Sequence, residues 1–308
     1  MIEVLGNMKR DFLTMRDLST EEIDLLLKRS TEFKSGKDAH KCPLIGKSIG
    51  LFFEKASTRT RVSFEVGIYQ LGAQAIYMNP KEIQIGRGET IHDTAKVLSR
   101  YLAALIIRTF SHNSLMEFAS HSSVPVINGL SDLHHPCQIL ADLLTILEKK
   151  GRLKDIRLAY IGDGNNIANT LIEAASLMGI NLVIACPEGY EPDSEIFKEA
   201  RTSLNGKVSI VKDPKEAIDK ADVVYTDVWV SMGQEKEAAA RKRKFKSYQL
   251  NSNLLSYAKK DAIVLHCLPA HRGEEITDEV IDGPQSMVFD QAENRLHTQK
   301  ALLEFLLT

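Results

Sequence analysis

Ser48-Ile49-Gly50-Leu51-Phe52-Phe53, followed after a short polar loop by Ser57-Thr58-Arg59-Thr60-Arg61, is the stretch from which the fold can be read. The first six residues have the character of a buried strand, and a helix is expected from about Thr58 to Gly72. A strand that hands over directly to a helix is half of a βαβ unit. Val62, Val66 and Tyr69 mark one apolar face of that helix, and Phe64, Ile68 and Leu71 mark another, so burial on both faces is expected. A helix start carries free backbone N–H groups and a partial positive charge, which attract anions. Ser57, Thr58 and Thr60 add hydroxyls, and Arg59 and Arg61 add guanidinium forks suited to phosphate. An N-cap serine with arginines on a solvated face is the blander account. It leaves the concentration of donors within five residues unexplained.

The same rhythm continues outward. Upstream, Ser19-Thr20-Glu21-Glu22 is a capping box before an apolar helix that runs to about Gly36. Downstream, strands are expected at Ala75 to Met78, Ala104 to Arg108 and Val124 to Asn128. Helices fall between them near Thr90 to Tyr101 and His112 to His121. A helix from Pro136 to Lys150 closes this series at Gly151. A second series has strands at Arg157 to Ile161, Asn181 to Ala185, Val208 to Val211, Val223 to Tyr225 and Ala262 to His266. Asp213-Pro214 opens a helix within it. A strand near Met287 to Phe289 and an apolar helix from about Gln291 to Leu307 follow. The expected architecture is α/β: two doubly wound parallel-sheet lobes with an interdomain cleft. Such sheets bind ligands at the carboxyl ends of their strands.

Composition fits this and excludes several classes. The 308 residues suggest two domains. A formal charge of -2, from 39 basic and 41 acidic residues, gives no general pull toward nucleic acid or anionic membrane. The basic run Arg241 to Lys244 reads as a solvated face beside Glu235 and Glu237. Cys42, Cys137, Cys186 and Cys267 lack zinc spacing and read as reduced thiols. The stretch Met1 to Asp11 has no apolar secretory core, and the apolar run Leu102 to Ile107 is far shorter than the ~18 residues of a spanning helix. A cytoplasmic protein is expected.

Further constellations follow strands. Arg108 ends one, at the sheet edge where sites lie. In His134-His135-Pro136-Cys137-Gln138, Pro136 suits the first helical position, so His135 and Gln138 can face a ligand at the helix mouth. Paired histidines without carboxylate or thiolate partners at ligand spacing argue against a metal. Gly162-Asp163-Gly164-Asn165-Asn166 resembles half of a dinucleotide fingerprint, with Ile167 where its third glycine belongs. Asparagine contact with a polar substrate fits those residues better. The loops Asp227 to Gly233 and His266 to Glu275 each follow a strand of the second series. Asp227 suits an ammonium partner; Cys267 reads either as a nucleophile without an evident base or as a small buried residue.

Together these motifs resemble the aspartate/ornithine carbamoyltransferase family over essentially the whole chain. Ser57 to Arg61 matches its carbamoyl-phosphate signature, and His135-Pro136-Cys137-Gln138 its HPxQ motif. Asp227 with Ser231-Met232-Gly233, and His266-Cys267-Leu268-Pro269, resemble the ornithine branch. The resemblance implies transfer of the carbamoyl group of carbamoyl phosphate to the side-chain amine of L-ornithine, giving L-citrulline and phosphate. It implies a carbamoyl-phosphate-binding domain over 1–140, completed by a helix over 290–308, and an ornithine-binding domain over 141–289. Carbamoyl phosphate would meet Ser57, Thr58, Arg59, Thr60, Gln84, Arg108, His135, Gln138, Cys267, Leu268 and Arg295. Ornithine would meet Asn166, Asp227, Ser231 and Met232, with Asn165 an alternative to Asn166. Arg108, His135 and Cys267 would be catalytic. No cofactor or metal is implied, nor any nucleic acid or membrane partner. A homotrimer, or a multiple of trimers, with sites at subunit interfaces is implied. Competing readings are a carbamoyltransferase for acetylated ornithine or putrescine, a nicotinamide dehydrogenase resting on Gly162 and Gly164, and a binding homologue without catalysis.

Overall fold

Two all-parallel sheets organise the chain in the computed structural model, which describes residues 9–38, 40–79, 88–202, 206–231 and 235–308. The first sheet contains β1 (Ser48–Phe53), β2 (Gln74–Met78), β3 (Ala104–Arg108) and β4 (Val126–Leu130), in the order β2-β1-β3-β4. The second contains β5 (Arg157–Ile161), β6 (Asn181–Ala185), β7 (Val208–Val211), β8 (Val223–Thr226) and β9 (Ile263–Leu265), in the order β7-β6-β5-β8-β9. The connecting helices of the first half are α1 (Thr20–Lys34), α2 (Thr58–Gln70), α3 (Ile91–Leu98), α4 (His112–His121) and α5 (Pro136–Lys150). Those of the second are α6 (Asn166–Met178), α7 (Ser194–Ala200), α8 (Pro214–Ile218), α9 (Ala238–Phe245), α10 (Ser252–Leu255), α11 (Asp278–Ile281) and α12 (Val288–Leu307).

Strand order fixes where a ligand can sit. In the first sheet the order reverses between β1 and β3; in the second it reverses between β5 and β8. The crevices that open at the carboxyl ends of these pairs are the switch points at which doubly wound sheets bind ligands. Helix α5 leads from one sheet to the other and ends at Gly151 in the left-handed conformation, with φ 72°. Helix α12 then returns to the first half, packing on α1, α2 and α5.

The capping box at Ser19 and Glu22, the Asp213 cap and Pro214 all form as expected. Three expectations are corrected. Helix α2 buries only one face: Phe64, Ile68 and Leu71 are buried, while Val62, Val66 and Tyr69 are 49%, 38% and 80% exposed. The buried side lies under α12, where a Cβ on Gly67 would meet Lys300 Cγ at 3.2 Å. Met287 to Phe289 is not a strand. Met287 N–H does bond the Val264 carbonyl at 2.9 Å, but Val288 already begins α12. Strand β4 starts two residues later than expected. The Val124 N–H bonds the Ser122 hydroxyl, and Pro125 has no N–H for the ladder. Among the described residues, no helix is long and apolar enough to cross a membrane.

Candidate active site

The two switch points open into one cavity of about 770 Å³ between the sheets. From the first half it receives Lys55, the start of α2, Arg108, His135 and Gln138; from the second it receives Asn165, Asn166, Asp227, Ser231, Cys267 and Leu268, and Arg295 of α12 joins them. Gln84 and Met232 lie outside the described residues.

The local chain explains why these groups converge. Ser57 is the N-cap of α2 and its hydroxyl accepts from Thr60 N–H at 3.3 Å. Ser57, Thr58, Arg59 and Thr60 all line the cavity. Arg61 does not: its Nε lies 2.9 Å from Glu65 and its guanidinium stacks on the Tyr77 ring. Of the two arginines of the motif, only Arg59 therefore faces the cavity. Arg108 sits at a register shift between β3 and β4, an irregularity of the kind that re-aims a side chain. It is buried, and its Nε has no protein partner. Pro136 occupies the first turn of α5, and the His135 side chain makes no capping bond, which leaves its ring to the cavity.

The resulting field is strongly positive. Burial, reinforced by Arg295, lowers the Arg108 pKa to about 10, which still leaves it protonated at neutral pH. Burial and then the guanidinium groups of Arg295, Arg108 and Arg59 push the His135 pKa well below its usual value, so the ring is a neutral imidazole. Arg295 is tied by Nη1 to Gln138 Oε1 at 2.6 Å and by Nη2 to the Thr60 hydroxyl at 3.2 Å. Its Nε, like Nδ1 of His135, is buried without a protein partner. A buried guanidinium N–H left without a partner in this way calls for an acceptor, and the open imidazole nitrogen for a partner of either kind.

The other wall is acidic. Asp227 follows β8 and accepts from Asn165 Nδ2 at 2.7 Å and from Cys267 Sγ at 3.0 Å. Burial, and then the neighbouring Asp227, push the Cys267 thiol pKa well above its usual value, so it is a neutral hydrogen-bond donor rather than a thiolate. Asn165 is committed as the cap of α6, accepting from Ile167 and Ala168 N–H. Asn166 donates its Nδ2 to the Ser131 carbonyl at 2.7 Å. Leu268 adopts a left-handed φ of 56° and its N–H bonds His266 Nδ1 at 2.9 Å.

The donor atoms of Asp227, His266 and Cys267 lie within 4.8 Å of one another, as do those of His271, Glu274 and Glu275. Most are already committed within the protein: Cys267 to Asp227, both ring nitrogens of His266, and Glu274 to Lys242 at 2.5 Å. Gly162 and Gly164 have a local explanation that needs no dinucleotide. Gly162 has φ 145°, and a Cβ on Gly164 would lie 2.2 Å from the backbone nitrogen of Pro192.

A model of the carbamoyl-phosphate-binding domain of aspartate/ornithine carbamoyltransferases matches residues 10–148, and one of their aspartate/ornithine-binding domain matches residues 154–306. The chain belongs to the aspartate/ornithine carbamoyltransferase family. It is 55% identical over 302 residues to an ornithine carbamoyltransferase of Syntrophus aciditrophicus, spanning 97% of this chain and all of that one. An ornithine carbamoyltransferase of Thermococcus kodakarensis is 51% identical over 97% of this chain and 96% of its own. Among solved structures, the ornithine carbamoyltransferase of Pyrococcus furiosus superposes with a TM-score of 0.93 at 49% identity, covering 97% of both chains. The anabolic enzyme of Campylobacter jejuni does so with a TM-score of 0.91 at 40% identity, covering 96% of this chain and 98% of its own.

Motif reading missed four contributors. Lys55 and Asp163 line the cavity, Arg241 bonds Asp163 Oδ2 at 2.8 Å, and Asp142 lies behind Gln138. The Gln138–Asp142 spacing of four on a helix was the available signal.

Proposed function

We propose that the chain is an ornithine carbamoyltransferase, converting carbamoyl phosphate and L-ornithine to L-citrulline and phosphate. The observation that carries this reading is a single cavity with Arg59, Arg108 and Arg295 on one wall and Asp227 on the other. Phosphate would take the start of α2 with Ser57, Thr58, Arg59, Thr60 and Arg108. Thr60, Arg108 and neutral His135 would face the carbonyl oxygen, and Gln138 the carbamoyl amine. Gln84, Cys267, Leu268 and Arg295 would complete that half. Ornithine would contact Asn166, Asp227, Ser231 and Met232.

The neutral side-chain amine of ornithine attacks the carbonyl carbon, forming the C–N bond and a tetrahedral oxyanion. Arg108, His135 and Thr60 stabilise that oxygen, where one missing donor typically costs about 10²–10³ in rate. The C–O bond to phosphate then breaks, and the leaving phosphate takes the amine's proton. No protein base is required, which suits a site whose imidazole and thiol both lack charge. Cys267 serves as a neutral donor beside Asp227.

The domains would divide at 1–140, completed by 290–308, and 141–289. A homotrimer with shared sites would cover the exposed apolar face of α2. Four cysteines outside any disulfide fit a reducing cytoplasm. Citrulline formation measured with ornithine, acetylornithine, putrescine or aspartate tests the acceptor. Turnover with ornithine should dominate, and Asp227→Ala should abolish it while carbamoyl phosphate still binds. Preference for another amine, or near wild-type turnover in Asp227→Ala, would refute the assignment.

A further inference from the structure

A glutamine side chain has two ends of nearly equal shape and opposite chemistry: a carbonyl that accepts and an NH2 that donates. Which end Gln138 turns to the cavity decides what the cavity can recognise. The residue is buried, and its orientation is set from both sides. Its Nε2 donates to Asp142 Oδ1 at 2.8 Å, one turn along α5. Its Oε1 accepts from Arg295 Nη1 at 2.6 Å. Reversing the amide would set oxygen against the carboxyl oxygen of Asp142 and NH2 against a guanidinium that can only donate.

Asp142 is fully buried on the apolar interior of α5, an expensive place for a carboxyl group. It does not itself line the cavity. Its Oδ1 accepts a second bond, from Gln291 Nε2 at 2.7 Å, and Gln291 Oε1 accepts from His266 N–H at 2.9 Å. The carboxyl therefore joins Gln138 to the chain that leads into Cys267. Burial raises its pKa to about 7. With the proton on Oδ2, Oδ1 remains an acceptor, so the polarity imposed on Gln138 survives in either state.

We propose that Asp142 is a positioning residue that locks the amide of Gln138 oxygen-outward, and so makes the site select an acyl phosphate bearing an NH2 group over one bearing a methyl. Carbamoyl phosphate and acetyl phosphate differ in this way and are otherwise close in shape. The proposal rests on the reading of the cavity as a carbamoyl-phosphate site. Oε1 keeps its bond from Arg295, but the methyl analogue leaves its second lone pair without a donor, which gives a preference of about 10-fold.

The test is calorimetric titration of the full-length protein with carbamoyl phosphate, acetyl phosphate and inorganic phosphate. Asp142→Asn weakens the lock from one side, because an asparagine can turn either its oxygen or its NH2 toward Gln138, while Arg295 still donates to Oε1. Its preference for carbamoyl over acetyl phosphate should fall about threefold or more, with inorganic phosphate affinity within about twofold of wild type. Asp142→Ser should behave alike if the asparagine variant folds poorly. On a Gln138→Met background, Asp142→Asn should leave the preference unchanged, since the group acts only through the amide. Wild-type preference in folded Asp142→Asn or Asp142→Ser would overturn the proposal alone. A wild-type protein that binds no carbamoyl phosphate would overturn the reading of the cavity, and the proposal with it.

Discussion

Replacing Arg295 by lysine keeps a positive charge in the cavity while removing the guanidinium fork. In the folded chain that fork makes two bonds at once, to Gln138 Oε1 at 2.6 Å and to the Thr60 hydroxyl at 3.2 Å, and keeps Nε in reserve. Each hydrogen bond to a charged group contributes roughly 1.5–3 kcal/mol. A lysine ammonium can replace one of them but not the planar pair. The net loss is therefore about 1.5–3 kcal/mol, or about 10–100-fold in kcat/KM for carbamoyl phosphate at saturating ornithine. Arg295→Met also removes the charge and strands two buried acceptors, so its loss should exceed ~10³-fold. Citrulline formation read at varied carbamoyl phosphate, with a thermal melt on each variant, measures both. If Arg295→Lys keeps kcat/KM within about threefold of wild type and melts normally, the fork is not what organises the site.

Three further outcomes follow from the geometry. Gly164→Ala should destabilise by several kcal/mol, because its Cβ would lie 2.2 Å from backbone at Pro192 and 2.3 Å from backbone at Glu191; a melting temperature within about two degrees of wild type would contradict this. Asp142 has a folded pKa of about 7, above its unfolded value of about 3.9, so the folded state holds the extra proton between them. Wild type should thus lose stability relative to Asp142→Asn as pH rises from about 4 to about 7, with a constant difference above; melts at several pH values that show a flat difference would refute it. Brief alkylation of native protein at neutral pH should modify exposed Cys42 and spare Cys267, whose thiol pKa is raised by burial and Asp227; rapid labelling of Cys267 would argue for a thiolate.

The sheets were legible because a parallel sheet buried on both faces writes itself as short apolar runs, and β1, β3, β5, β6 and β7 keep the bounds expected from those runs. Met287 to Phe289 shows the limit of that signal: three large apolar residues look alike at the end of a strand and the start of a helix. Val62, Val66 and Tyr69 were misplaced for a related reason, since periodicity shows that a face is apolar but not what lies against it. In the site, Ser57 to Thr60, Arg108, His135 and Gln138 could be found because each ends a strand or starts a helix. Asp142 could not be found that way. It sits mid-helix, and its importance lies in a partner four residues back and another from α12. Arg295 likewise belongs to the site only because α12 folds back, a contact spanning 157 residues to Gln138.

That return has a consequence for how the protein comes to be. Helix α12 follows every strand of both sheets along the chain, yet it packs on α1 and α2, which are made first. A nascent chain emerging from the ribosome can pair β1 to β4 long before α12 exists. Until then Gly67 and Gln70 lack the helix that packs on them, and Thr60 and Gln138 wait for Arg295. The cavity wall is therefore completed only after the second sheet has been synthesised, and a chain interrupted before α12 would carry Ser57 to Thr60 without Arg295 beside them.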